Sequence, residues 1–147
     1  MGIEDHIQAK FKSEQHKAIV NIRFTSNWIG NFYNKKLSEY NLSLPQFNIL
    51  RILRGANEKL SVNVVKERML EKSPNTTRLI DKLIQKKFVK RMRSKLDRRI
   101  VYVQITDDGL STLKNIDQSL HELNLEGSLN KEEALELNRL LDKFKGE

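Results

Sequence analysis

Apolar positions along most of this chain recur at intervals of three and four. From about Glu14 to Tyr40, residues Ala18, Ile19, Ile22, Trp28, Ile29, Phe32, Tyr33 and Leu37 hold that spacing and predict one long helix. "NLSLPQF" starts a second helix, with Ser43 or Leu44 as cap and Pro45 in its first turn. It carries Phe47, Ile49, Leu50, Ile52 and Leu53 and ends near Gly55, where "GANEK" reads as a turn. "SVNVVKERML" follows, capped by Ser61, with Val64, Val65, Met69 and Leu70 directed inward. After a tight "EKS" turn comes "SPNTTRLIDKL", with Ser73 as N-cap and Pro74 at the first helical position. On its wheel Leu79, Ile80, Leu83 and Ile84 share a face with Thr76. Pro74, Arg78, Asp81, Lys82 and Gln85 lie opposite, and Asn75 and Thr77 lie on the flanks. Two short helices joined in this way predict a helix-turn-helix.

The period then changes. "FVKRMRS" and "IVYVQIT" are rich in β-branched and aromatic residues, and Val101, Val103 and Ile105 alternate, so two strands are expected around a charged "KLDRR" tip. "TDDGLSTLKNIDQSLHELNL" returns to helix, capped by Thr106. "NKEEALELNRLLDKFKG" closes the chain with Asn130 as cap, Glu133 completing a capping box and Gly146 as stop. The expected fold class is mainly α with a small β-hairpin wing (α+β), in one domain of 147 residues.

Composition narrows the function. There is no cysteine, which excludes disulfides, thiolate catalysis and cysteine-ligated zinc. His6, His16 and His121 have no metal-ligand spacing, and no catalytic or nucleotide-binding motif is present, so neither enzyme nor cofactor is expected. No apolar run approaches the ~18 residues of a membrane span, and "MGIEDHIQAKFKSEQ" lacks a signal-peptide core, which predicts a cytoplasmic protein. The net charge of +8 is unevenly placed: residues 59–104 hold 14 Lys/Arg against 4 Asp/Glu, while the remainder of the chain balances at −2. A basic segment of this kind points to a polyanion, most often nucleic acid.

The wing stretch Asp97-Arg98-Arg99-Ile100-Val101-Tyr102-Val103-Gln104-Ile105-Thr106 resembles the pattern D-x-R, five residues, L-T of the MarR family, with Ile105 for Leu. "LPQFNILRIL", "SPNTTRLIDKL" and "TDDG" fall in that family's order and spacing, and the resemblance runs from about Trp28 to Phe144. Thr76 departs from it, since the family more often has an apolar residue there. The resemblance implies a winged helix-turn-helix regulator of transcription. Residues of about 44–106 would form its DNA-binding part, and about 14–40 and 107–145 its dimerisation helices. It further implies a homodimeric repressor on a pseudo-palindromic operator, with DNA binding relieved by a small aromatic or apolar effector.

Groove geometry assigns roles to the residues. A helix enters the major groove N-terminus first, so short side chains at Ser73, Pro74, Asn75 and Thr77 allow close approach. Arg78 suits guanine or a phosphate. Arg98 and Arg99 on the hairpin reach toward the minor groove, with Asp97 orienting a wing arginine. Lys82, Lys90, Arg91, Arg93 and Lys95, with Lys86 and Lys87, are phosphate candidates. Capping alone accounts for Ser73 and Pro74, and part of the lysine run is ordinary solvated surface. Trp28, Phe32 and Tyr33 either line an effector pocket or pack in the core or a dimer, with packing favoured. A winged-helix module for nonspecific nucleic-acid binding or protein contacts stays open as the alternative function.

Overall fold

Among the residues that the computed structural model describes, 1–72 and 74–147, the expected helices and wing are present, with differences at their ends. The chain divides into two units, 1–113 and 114–147.

In the first unit, a short helix α1 (Ile3–Ile7) precedes the long α2 (Glu14–Leu37). The sequence gives α1 no signal, because five residues are too few to show a period. It is held instead by tertiary contacts: Ile3 is buried, and Glu4 pairs with Lys17 of α2 at 2.8 Å. The Ser13 hydroxyl caps α2 by accepting the His16 N–H at 3.1 Å. The expected last turn of this helix tightens into a 3₁₀ turn, Ser38–Tyr40, which ends at Asn41 with φ 55°. Helix α3 (Leu44–Ala56) starts in a capping box, with Ser43 and Gln46 each bonding the other's backbone N–H. It supplies the centre of the core, where Phe47, Ile49, Leu50 and Leu53 are almost completely buried.

A two-residue strand β1 (Leu60–Ser61), too short for any alternation to register, leads into α4 (Val62–Arg68), which is capped by Ser61. Helix α4 stops earlier than its sequence suggests. Met69 turns extended (φ −64°, ψ 133°) and stays buried, whereas Leu70, expected inward, is 86% exposed. The connection to α5 (Thr76–Gln85) is correspondingly longer than a tight turn, and α5 starts at Thr76 rather than at Pro74. Pro74 and Asn75 form a turn, Asn75 lying at φ −94°, ψ 9°, the conformation of the third residue of a type I turn. Proline is favoured in the position before it. Ser73, expected as the cap, lies outside the described residues.

Helix α5 buries Thr76, Ile80 and Leu83, as its wheel predicts. It ends in a Schellman motif: the Lys87 N–H donates to Ile84 O and the Phe88 N–H to Leu83 O, with Lys87 left-handed at φ 63°. Strands β2 (Val89–Arg93) and β3 (Val101–Ile105) pair antiparallel in the register Val89↔Ile105 to Arg93↔Val101. β1 adds to the other edge of β3, giving the order β1-β3-β2. Helix α6 (Asp107–Leu123) is capped by the Thr106 hydroxyl, which accepts the Gly109 N–H and donates to Lys87 O. Gly109 is required here, because a Cβ would lie 2.4 Å from the Phe88 carbonyl oxygen.

The second unit contains the end of α6, a 3₁₀ turn (Glu126–Ser128) and α7 (Lys131–Lys145). Helix α7 has the expected Asn130–Glu133 capping box and ends at Gly146 with φ 88°.

Candidate nucleic-acid interface

With Thr76, Ile80 and Leu83 facing the core, α5 turns Thr77, Arg78 and Lys82 to solvent, and Pro74 and Asn75 are exposed just ahead of them. No hydrogen bond or ion pair engages the Arg78 or Lys82 side chain among the described residues. Asp81, on the same helix, forms an ion pair with Arg91 of β2, fastening the helix to the sheet. Arg91, expected to hold phosphate, is therefore already committed within the protein, and the pair removes an unbalanced carboxylate from the helix face.

The wing tip, residues 94–100, is tied by local bonds. The Ser94 hydroxyl accepts the backbone N–H groups of Leu96 and Asp97, both at 3.2 Å, and the Asp97 carbonyl accepts the Ile100 N–H. The Asp97 carboxylate accepts three bonds from Arg99, from its backbone N–H, Nε and Nη2, each at 3.0 Å. These bonds, those of the side chain foremost, hold the Asp97 carboxyl below the ordinary aspartate range and raise Arg99. The arginine nevertheless remains 91% exposed, so its direction is set without its being buried. Arg93 reaches the Arg98 carbonyl at 3.4 Å, while Lys95 and the Arg98 side chain are exposed.

A groove of about 710 Å³ separates α5 from the base of the wing. Its walls include Thr77, Asp81, Arg91, Arg99 and, from outside the expected site, Asn63 and Tyr102. Lys59, with Nζ 4.7 Å from the Tyr102 ring centroid, completes one wall. This wall has no local signal in the sequence, because it is assembled by the pairing of β1 with β3. Lys90 is not part of this groove. Strand alternation places it on the opposite face from Arg91, where it lines a second groove of about 340 Å³ with Arg54, Glu58, Gln104 and Asp107.

Trp28, Phe32 and Tyr33 form a ladder along α2, with neighbouring ring centroids 5.9 and 6.0 Å apart. Tyr33 in turn stacks on Phe47 of the core at 6.3 Å. They line neither groove; Trp28, at the outer end, is half exposed. Among the described residues no cluster of His, Asp or Glu could hold a metal ion, and no helix is long and apolar enough to cross a membrane.

Residues 31–116 match the model of a family described as transcriptional regulators SarA/Rot. The HTH-type transcriptional regulator MgrA of Staphylococcus aureus is 30% identical over 136 residues, covering 89% of this chain and 92% of MgrA. A MarR-like transcription regulator from Bacillus cereus has the same fold, with a TM-score of 0.79 at 26% identity over 90% of this chain and 96% of that one. MarR from E. coli, solved as a mutant with operator DNA, superposes with a TM-score of 0.76 over 92% of this chain and 99% of its own. At 24% identity that likeness is one of fold.

Proposed function

The chain belongs to the SarA/Rot family of transcriptional regulators and has the MarR-like winged-helix fold, and from that premise we propose that it is a homodimeric, sequence-specific repressor that acts on duplex DNA in the cytoplasm. The observation that carries this reading is that α5 and the wing line one groove, through Thr77 and Arg99, and that each brings a basic feature to it. One is a helix face with Arg78 and Lys82 unengaged among the described residues, and the other is a wing whose Arg99 is already aimed by Asp97.

In this reading α5 enters the major groove from its N-terminal end. Pro74, Asn75 and Thr77 are short enough to bring the helix close, and Arg78 presents a fork to guanine O6 and N7. Arg99 enters the flanking minor groove, where narrow A·T-rich segments concentrate negative potential. Its tie to Asp97 removes part of the rotamer entropy that binding would otherwise have to overcome. Lys82, Arg93, Lys95 and Arg98 supply phosphate contacts that hold without reading sequence. Lys90, on the other face of the hairpin, belongs to this set only at its margin. Residues of about 44–106 form the DNA-binding part, and those of about 14–40 and 107–145 the dimer helices.

Relief by a small apolar or aromatic effector is the finer part of the proposal. It is supported by the aromatic ladder on α2, whose outer ring, Trp28, is accessible and is the single tryptophan of the chain. Its fluorescence should therefore respond to any such ligand that also releases DNA. The test of the main reading is competition binding. The chain should prefer an operator selected from random duplexes over scrambled DNA by ~10³ or more at physiological salt. A ratio near one would leave a nonspecific binder.

A further inference from the structure

Leu96 is completely exposed at the end of the wing. Single apolar side chains on a surface are ordinary, but the position of this one is not. Its own N–H and that of Asp97 are held by the Ser94 hydroxyl, and the next residues are fixed by the Asp97–Arg99 bonds. A braced tip thus presents a leucine that contributes nothing to the fold. Beside it in the tip Lys95, Arg98 and Arg99 are exposed cations, and the adjacent carboxylate, Asp97, is occupied by Arg99. A single leucine ringed by cations suits a surface with anionic rims and apolar walls. The minor groove of DNA has that construction, with phosphates along both edges and deoxyribose carbons forming the walls.

We propose that Leu96 is a positioning residue of the wing, packing against the sugar walls of the minor groove and setting how deeply Arg99 enters. The inference rests on the DNA-binding reading above. An apolar contact and a phosphate contact have different salt signatures: losing a phosphate contact flattens the dependence of affinity on salt, while losing an apolar one does not.

The test compares the full-length chain with Leu96→Ser, Leu96→Met and Arg99→Ala on its selected operator at several salt concentrations, together with hydroxyl-radical footprints of the sugars and dimethyl sulfate footprints of guanine N7. Since Leu96 is fully exposed, the two Leu96 variants should melt with the wild type. Leu96→Ser should weaken binding about fivefold to tenfold per half-site, what half-burying a leucine is worth, with the salt slope unchanged. It should also lose sugar protection at the outer minor groove while guanine N7 protection under α5 remains, and Leu96→Met should restore both. Leu96→Ser binding like the wild type, or losing affinity together with salt slope, would overturn the inference. So would Leu96-dependent retention on phosphatidylglycerol vesicles with DNA affinity unaltered. If the wild-type chain shows no preference for any DNA, the proposed function itself fails, a result distinct from wild-type binding that ignores Leu96.

Discussion

Arg78 and Arg99 are both exposed arginines, yet they sit in different surroundings, and the proposed reading gives them different tasks. Among the described residues Arg78 has no hydrogen-bond or ion-pair partner, which leaves its fork open to a base edge in the proposed reading. Arg78→Ala is expected to cost about 1–3 kcal/mol per half-site on the selected operator and much less on scrambled DNA. Equal losses on the two duplexes in parallel titrations would remove it from base readout. Arg99 is aimed by a carboxylate that it holds below the ordinary aspartate range. A depressed folded value means that the ion pair is fully present above the unfolded aspartate value, about 3.9, and is lost as pH falls through the lower folded one. Wing alignment should therefore be constant between about pH 5 and 8. A carbon-detected NMR titration should place the Asp97 midpoint below that of free aspartate, returning toward it in Arg99→Ala. A midpoint unchanged by that substitution would contradict the orienting role. That Asp97 would pair with a wing arginine was legible in the sequence, because a carboxylate two residues from an arginine on a charged hairpin tip has few other partners. That Arg99 rather than Arg98 is its partner depended on the backbone of the tip.

At the scale of elements, the ends of α5 show where local signals compete. Ser-Pro is a good helix start, but the chain leaving α4 must first bury Met69, and it spends the following residues on a connection that ends in the Pro74–Asn75 turn. Helix growth begins only at Thr76. At the other end a lysine occupies the left-handed position usually given to glycine. Since the Lys87 side chain is exposed, Lys87→Gly should stabilise the domain by about 0.5–1 kcal/mol. Gly109→Ala should do the reverse, by about 1–3 kcal/mol, because its methyl would press on a backbone carbonyl that cannot move without shifting β2. Urea unfolding checks both: the midpoints should move in opposite directions with the m-value unchanged. A lower midpoint for Lys87→Gly would mean that its side chain has a role not visible in its exposure.

At the scale of the molecule, apolar side chains on two helices are left open. Helix α2 exposes Ile19, Ile22, Trp28 and Ile29, and α7 exposes Leu135, Leu137, Leu140 and Phe144. Faces like these are what a second copy would cover, and two recognition helices related by a two-fold axis would meet half-sites ~34 Å apart. Light scattering should report a dimer at micromolar concentration. Leu140→Asp combined with Phe144→Asp should shift it to monomer with helicity retained, since both positions are exposed in the single chain. Operator affinity should fall much further than half-site affinity. A variant that stays dimeric would exclude α7 from the interface.

The sequence by itself determined the long helices, the helix-turn-helix, the two wing strands and the caps at Ser61, Thr106 and Asn130, and it narrowed the cap of α3 to Ser43 or Leu44, because period and capping are properties of adjacent residues. It also showed where the positive charge is concentrated, and it marked Arg78 and Asp97-Arg98-Arg99 as chemistry with no place in a core. Tertiary structure alone decided what depends on distant neighbours. The two-residue β1 exists because β3 offers it an edge, and α1 because α2 offers Lys17. Arg91 is paired because the sheet brings it to Asp81, and Lys90 is turned away because alternation about buried Val89 leaves no choice. Leu70 reads as core by spacing but stands in water, because α4 stops before the turn that would have carried it inward.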